Sequence, residues 1–440
     1  PAGLASGVDM GQNLSMDAKV WREWALCAAG ASFWAAAAVA APGDRAANVI
    51  LFIGDGMGPE HVAAARCFKG APLCFEEFPH SALVDTDSLG GLTDSSAAAT
   101  AIATGSRVEW YTYGDRSDGK LPTVLEYFRA KGKRTGLVTT DHVTAATPAA
   151  FATHAFFRDD WGAIARDMLT VTRPHVLLGG GGHEMDPAAA AAAGYAVATN
   201  AAELAAIDPA ATEYLSGQFG EGLFPYEADG IGDHPHLWEM TAVALAVLER
   251  EPAGFFLMVE DETIDYASHG NHVERLVHGV LALEASVQTA LDWASNRTDT
   301  LILVTADHET GGLAVTADHG PGNLPGVEWA SDWHTQTPVG SWAWGVGSER
   351  VSGSMANTNT FHVLRDSALL RTFVLASPPD GPPLWAAAPG DVFRMEYADR
   401  LEYPDWRPLG IATALVDSVA IADTNDWPQA QRFYRAVALP

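Results

Sequence analysis

The chain has 440 residues, 48% of them hydrophobic, which is enough to bury one large core or two smaller ones. Asp and Glu number 55 against 26 Lys and Arg, for a net charge of -29. A surface this acidic repels nucleic-acid phosphates and anionic lipid, so neither is an expected partner.

The N-terminal segment reads as an address. Lys19 and Arg22 precede an uncharged run from Trp24 to Ala40, which closes on Ala38-Val39-Ala40, the small-x-small pattern of a secretory cleavage site. The expectation is a leader over residues 1–41 that includes a signal peptide. A periplasmic or secreted protein without stable membrane anchoring follows. Cys27 would leave with the leader. Cys67 and Cys74 remain, and both a disulfide and two buried thiols are open readings. With no Cys-x-x-Cys pattern, any metal site must be built from His and carboxylate.

Beyond the leader, short apolar runs alternate with helix-length stretches. Strands are expected at Asn48–Ile53, Thr135–Thr140, Val176–Leu178, Gly254–Val259 and Thr300–Thr305, with helices over Leu121–Lys131, Leu237–Glu249 and Glu274–Ala294. This order predicts an α/β fold with a central, mostly parallel sheet and helices on both faces. Chemistry should then collect beyond the carboxyl ends of the strands. The Ala-rich stretch Asp186–Asp229 reads as helices and loops away from the site. Gly179 to Gly182 lacks a following Lys-Ser or Lys-Thr and reads as a tight turn rather than a phosphate cradle. The main domain is expected over 42–376, a Pro-rich linker over 377–390 and a small β module over 391–440, where apolar and polar residues alternate.

Six local signals place metal-binding residue types after a strand or along one helix face. Gly54-Asp55-Gly56-Met57-Gly58 lets the backbone turn tightly and leaves a carboxylate open to cations. Asp94-Ser95-Ser96 opens a helix of small residues, where Ser95 is either a cap or a nucleophile at the positive end of the helix dipole. Asp265 and His269 are four apart and can share an ion, while Glu260 stands nearer the strand end. Asp307-His308 follows the strand ending at Thr305, His334 lies in a loop, and Thr147 followed by Arg158 offers a hydroxyl and a phosphate clamp. The remaining histidines are read as ordinary partly buried polar groups. His272 alone, three residues after His269, is read as a neighbour of the site.

Taken together, the motifs IGDGMG, DSSAAATAIATG, ATPAAFATHAFFR, VEDETIDYASHGN, TADHETGG and WHT resemble the alkaline phosphatase family over roughly residues 47–372. The resemblance implies hydrolysis of small phosphate monoesters through a phosphoserine at Ser95, with Arg158 binding phosphate and Asp94 positioning that guanidinium. It implies one Zn2+ held by Asp55, Asp307 and His308 with Ser95 as fourth ligand. A second Zn2+ would be held by Asp265, His269 and His334, and an Mg2+ by Asp55, Thr147 and Glu260. It also implies a homodimer. A phosphodiesterase of the same superfamily and an inactive metal-stabilised binding protein are the alternatives. Two positions depart from the family pattern: Ala145, where relatives commonly carry Asp or His, and Tyr266, where they often carry Lys, His or Trp.

Overall fold

The computed structural model describes residues 45–369, apart from 114, 117 and 118, and six short strands between residues 375 and 439. The expected signal peptide and most of the expected linker lie outside the described residues. Among the described residues no helix is long and apolar enough to cross a membrane.

Ten strands form one sheet: β1 (Asn48–Gly54), β2 (His80–Asp85), β3 (Arg134–His142), β4 (Val176–Gly181), β5 (Ala196–Ala198), β6 (Leu215–Glu221), β7 (Phe255–Asp261), β8 (Thr300–Thr305), β9 (Val339–Gly345) and β10 (Gly353–Ala356). Their spatial order is β10-β2-β9-β8-β1-β7-β3-β4-β6-β5. Only β9 runs against its two neighbours, β8 and β2; every other pairing is parallel. β1, β7 and β8 are buried along their whole length, which explains their unbroken apolar runs. The helices that matter for the site are α1 (Pro59–Lys69), α2 (Ser95–Thr104), α3 (Ala146–Ala152), α4 (Thr263–His269) and α5 (Val273–Ala294).

The expected α/β architecture holds, with two corrections. Within Asp186–Asp229, β5 and β6 extend the sheet where only helices and loops were expected. The run of β6 hides its character because Ser216 and Gln218 are buried polar residues, with Gln218 Nε2 donating to Ser216 Oγ at 3.2 Å. Gly179 to Gly181 continue β4, and the tight turn begins only at Gly182, which has φ of 91° and exchanges backbone hydrogen bonds with Met185 at 3.0 Å. A Cβ on Gly180 would sit 2.1 Å from the Gly222 carbonyl oxygen, so glycine is required there by close approach of backbone. Cys67 and Cys74 are free thiols, and burial followed by the Glu284 carboxylate pushes Cys74 up to about 12.

The strands beyond residue 370 belong to a second unit. Leu375–Ala376, Phe433–Leu439, Val392–Ala398 and Arg407–Thr413 pair antiparallel in that order. Leu384–Ala386, inside the stretch read as a linker, pairs with Ser418–Ala420.

Candidate active site

The site is a consequence of strand order. β8, β1 and β7 lie side by side and parallel, with Ile53 opposite both Thr305 and Glu260. Whatever follows these strands must therefore converge. Asp55 follows β1, Glu260 is the penultimate residue of β7, and Asp307-His308 follow β8. All four are fully buried. Among the described residues, Asp55, Asp307 and His308 bring ligand atoms within 4.8 Å of one another, as do Asp265, His308 and His334. Asp55, Glu260 and Glu262 form a further such group.

Asp307 and Glu260 share one design, an oxygen anchored by the protein and an oxygen left bare. Asp307 Oδ1 accepts from the backbone N–H groups of Gly56 at 3.1 Å and His308 at 2.8 Å, while its Oδ2 has no hydrogen-bond partner. Glu260 Oε2 accepts from Thr139 Oγ1 at 2.6 Å, and its Oε1 is unpartnered. Neither oxygen of Asp55 has a partner. Such groups are expensive to bury unless something else satisfies them. Gly56 makes the convergence possible. It has φ of 68°, and a Cβ there would lie 2.6 Å from Asp265 Oδ1 and 2.8 Å from Thr310 Oγ1.

The imidazoles are oriented by the same logic. His334 Nδ1 donates to the Thr93 carbonyl at 2.9 Å, and His269 Nδ1 donates to the Asp332 carbonyl at 2.6 Å. Thr310 donates its only hydroxyl proton to Asp265, so its oxygen must accept from His308 Nδ1, 3.3 Å away. Each ring is thus held with Nε2 facing the cluster. His269 and His334 present these atoms to each other at 3.2 Å, and His269 Nε2 is 3.1 Å from Asp265 Oδ2. His308 stacks on His334 with 3.7 Å between ring centroids, and its Nε2 lies 3.3 Å from Asp307 Oδ2 and 3.6 Å from Asp55 Oδ1.

Ser95 is the first residue of α2, a helix buried over its whole length. Its Oγ lies 3.4 Å from His308 Nε2. The capping role belongs to Asp94, whose Oδ1 accepts from the Ala97 N–H at 3.1 Å and whose Oδ2 accepts from Ser96 Oγ at 2.6 Å. Asp94 Oδ2 also accepts from Arg158 Nη1 at 3.0 Å, which ties the guanidinium to the start of the helix. Arg158 remains partly open to solvent beside the Tyr111 ring. Thr147 on α3 is buried. Its hydroxyl comes close enough to Glu260 to lower that carboxyl without reaching hydrogen-bond geometry.

Charge in the cluster is poised between protons and cations. Burial, reinforced by Asp307 and Glu262, holds the Asp55 carboxyl well above the usual carboxylate range. Burial likewise raises Glu260 to about 8 and Asp307 to about 7. Asp265 is the exception. Burial works upward there too, but the His269 hydrogen bond and nearby imidazoles hold it low. His308 and His334 are pushed down, chiefly by burial, and so stay neutral with a lone pair to offer. Bare buried carboxylate oxygens, an unpartnered hydroxyl and two opposed Nε2 atoms fit divalent cations. The imidazole-bearing groups suit zinc, and the oxygen-only group suits magnesium.

Sequence reading missed Thr310, which orients Asp265 and His308 together, and Glu262, which joins Asp55 and Glu260. The only available signal for Glu262 was a second glutamate directly after a strand already carrying Glu260. The reading of His272 is corrected. α4 ends at His269, the chain turns through Gly270 and Asn271 with φ of 53°, and His272 is exposed ahead of α5. It shares no helix face with His269.

Comparison with known proteins gives a consistent result. The alkaline phosphatase family model matches residues 46–326. The chain is 34% identical to alkaline phosphatase 3 of Bacillus subtilis over 296 residues, covering 62% of this chain and 63% of that protein. It is 30% identical to alkaline phosphatase H of Pseudomonas aeruginosa over 412 residues, covering 74% of this chain and 86% of that one. The chain thus spans 63% of the length of its Bacillus relatives, and more of the Pseudomonas one. Among solved structures, alkaline phosphatase from Thermus thermophilus matches with a TM-score of 0.68 at 25% identity, over 74% of this chain and 92% of that one. The alkaline phosphatase of the Antarctic bacterium TAB5 gives 0.66 at 25% identity, over 74% and 98%. A variant of the latter has Mg bound in its M3 site.

Proposed function

The chain belongs to the alkaline phosphatase family, and from that premise we propose that it hydrolyses small phosphate monoesters by way of a phosphoserine at Ser95. The observation that carries this reading is the placement of Ser95 Oγ, at a helix N-terminus, beside a buried set of carboxylates with unpartnered oxygens.

In this reading Asp55, Asp307 and His308 hold one zinc together with Ser95. Asp265, His269 and His334 hold the other, and Asp55, Thr147 and Glu260 hold a magnesium. Bound cations would supply positive charge that favours ionisation of the Ser95 hydroxyl and stabilises the leaving oxygen. Arg158 binds two non-bridging oxygens of the phosphoryl group, and Asp94 keeps its guanidinium in place. The N–H groups at the start of α2 face the same anion. Ser95 Oγ attacks phosphorus and the alcohol departs. Water then cleaves the phosphoserine, releasing inorganic phosphate and restoring the hydroxyl. The same family reading carries export to the periplasm or beyond the cell, and assembly as a homodimer.

The test compares zinc-loaded protein on a nitrophenyl phosphate monoester and on the corresponding diester. The monoester is expected to turn over at least tenfold faster, because a dianionic phosphoryl group rewards a forked cation more than a diester does. Preference for the diester would move the chain to phosphodiester chemistry.

A further inference from the structure

One carboxylate in the buried cluster has no role in the mechanism above. Glu262 lies between β7 and α4 and is 8% exposed. The local backbone does not use its side chain. Asp261 fixes the turn instead, accepting from the Thr263 N–H at 3.0 Å, from Thr263 Oγ1 at 2.5 Å and from Thr140 Oγ1 at 3.2 Å. The Glu262 N–H in turn donates to Thr140 Oγ1 at 2.9 Å. With the turn secured on both sides, the Glu262 carboxylate is free to face the site, and α4 begins with no side-chain cap from it.

What it faces are groups in want of a cation. Asp55, Glu260 and Glu262 bring carboxylate oxygens within 4.8 Å of one another. Both oxygens of Asp55, Oε1 of Glu260 and the hydroxyl of Thr147 are buried without a hydrogen-bond partner. Three carboxylates this close repel one another unless a positive charge lies between them. Among the described residues no Lys or Arg forms an ion pair with any of the three. Ala145 stands just before α3, the helix that carries Thr147, and its methyl group offers no donor.

We propose that Glu262 is a direct ligand of the third cation, alongside Asp55, Glu260 and Thr147, and supplies the donor that Ala145 cannot. The donor set is then three carboxylates and a hydroxyl, all oxygen. That set favours a hard divalent ion such as magnesium over zinc at this position. The inference rests on the proposed metal-dependent phosphatase site but is tested through binding, independently of turnover.

The experiment titrates Mg2+ into zinc-loaded protein by calorimetry, with zinc content measured by elemental analysis. Wild type should bind one Mg2+ per chain. Glu262→Gln, close in shape, should weaken Mg2+ binding at least tenfold while leaving zinc content unchanged. Adding Ala145→Asp to Glu262→Gln should recover much of the lost affinity, which a merely misfolded variant could not do. Absence of a magnesium site in wild type, or equal Mg2+ affinity in wild type and Glu262→Gln, would overturn the assignment. Loss of Mg2+ binding in a protein that hydrolyses no monoester would leave Glu262 as a ligand and refute the phosphatase reading instead.

Discussion

At the scale of single residues, the site depends as much on what is missing as on what is present. Gly56 leaves room for Asp265 and Thr310 to reach the centre of the cluster. Gly56→Ala would place a Cβ 2.6 Å from Asp265 Oδ1, and both oxygens it approaches are held in buried hydrogen bonds. We expect this variant to lose zinc and at least tenfold in monoester turnover. Gly132 is the control: its φ is 71°, yet a Cβ there meets nothing within 4 Å. Gly132→Ala should suffer only backbone strain, about 1 kcal/mol, and keep its metals. Equal zinc content in the two variants would argue against the crowding. The same scale shows what sequence could reveal. Ser95 alone read more readily as a cap than as a nucleophile, and the structure gives the capping bonds to Asp94. Only Asp265 and His269, four apart, had a spacing that pointed to a shared ion; Asp55, Asp307, His308 and His334 were singled out through the combined motifs of the family resemblance, since a lone Asp in a Gly-rich turn or a lone His in a loop carries little signal. Thr310 was not, since a threonine after a strand is ordinary and its value lies in two bonds made across the fold.

At the scale of elements, three neighbouring strands deliver acidic groups to one place, and this has a consequence for stability. Glu260 and Asp307 titrate near 8 and 7 in the folded protein, and Asp55 and Glu262 well above their ordinary values, all chiefly through burial. A carboxyl raised by folding stabilises most below its unfolded value, and that contribution is lost as pH rises through the folded value. The depressed histidines act in the opposite direction, but only below about pH 6.5, where the unfolded chain takes up protons. From about pH 7 to pH 8 the carboxylates therefore dominate. Chelator-treated protein should melt at a lower temperature at the upper end of this window, while zinc- and magnesium-loaded protein should change less, because cations replace the protons. A pH-independent gap between the two melting temperatures would contradict the placement of these groups. The strands that build this arrangement, β1, β7 and β8, announced themselves as apolar runs because they are buried on both faces. β5 and β6 did not, β5 being short and β6 interrupted by the buried polar residues Ser216 and Gln218. β9, antiparallel to both neighbours, is the exception that the expected mostly parallel sheet allows.

At the scale of the whole molecule, the acidic surface and the buried site are separate uses of charge. Most of the excess carboxylates are unconnected with cation binding, and a net charge of -29 repels polyanions, in keeping with the small phosphate monoesters proposed as substrates. The catalytic unit accounts for every residue singled out from the six motifs; the C-terminal strands contribute none of them. The central claim is that Ser95 is the group that accepts the phosphoryl moiety. The direct measurement is acid quenching of metal-loaded protein during turnover of a phosphate monoester, followed by mass spectrometry of the peptide containing Ser95. Phosphate is expected on Ser95, and Ser95→Ala should keep its zinc while losing turnover by on the order of a thousandfold. Wild-type turnover in zinc-loaded Ser95→Ala would contradict the account.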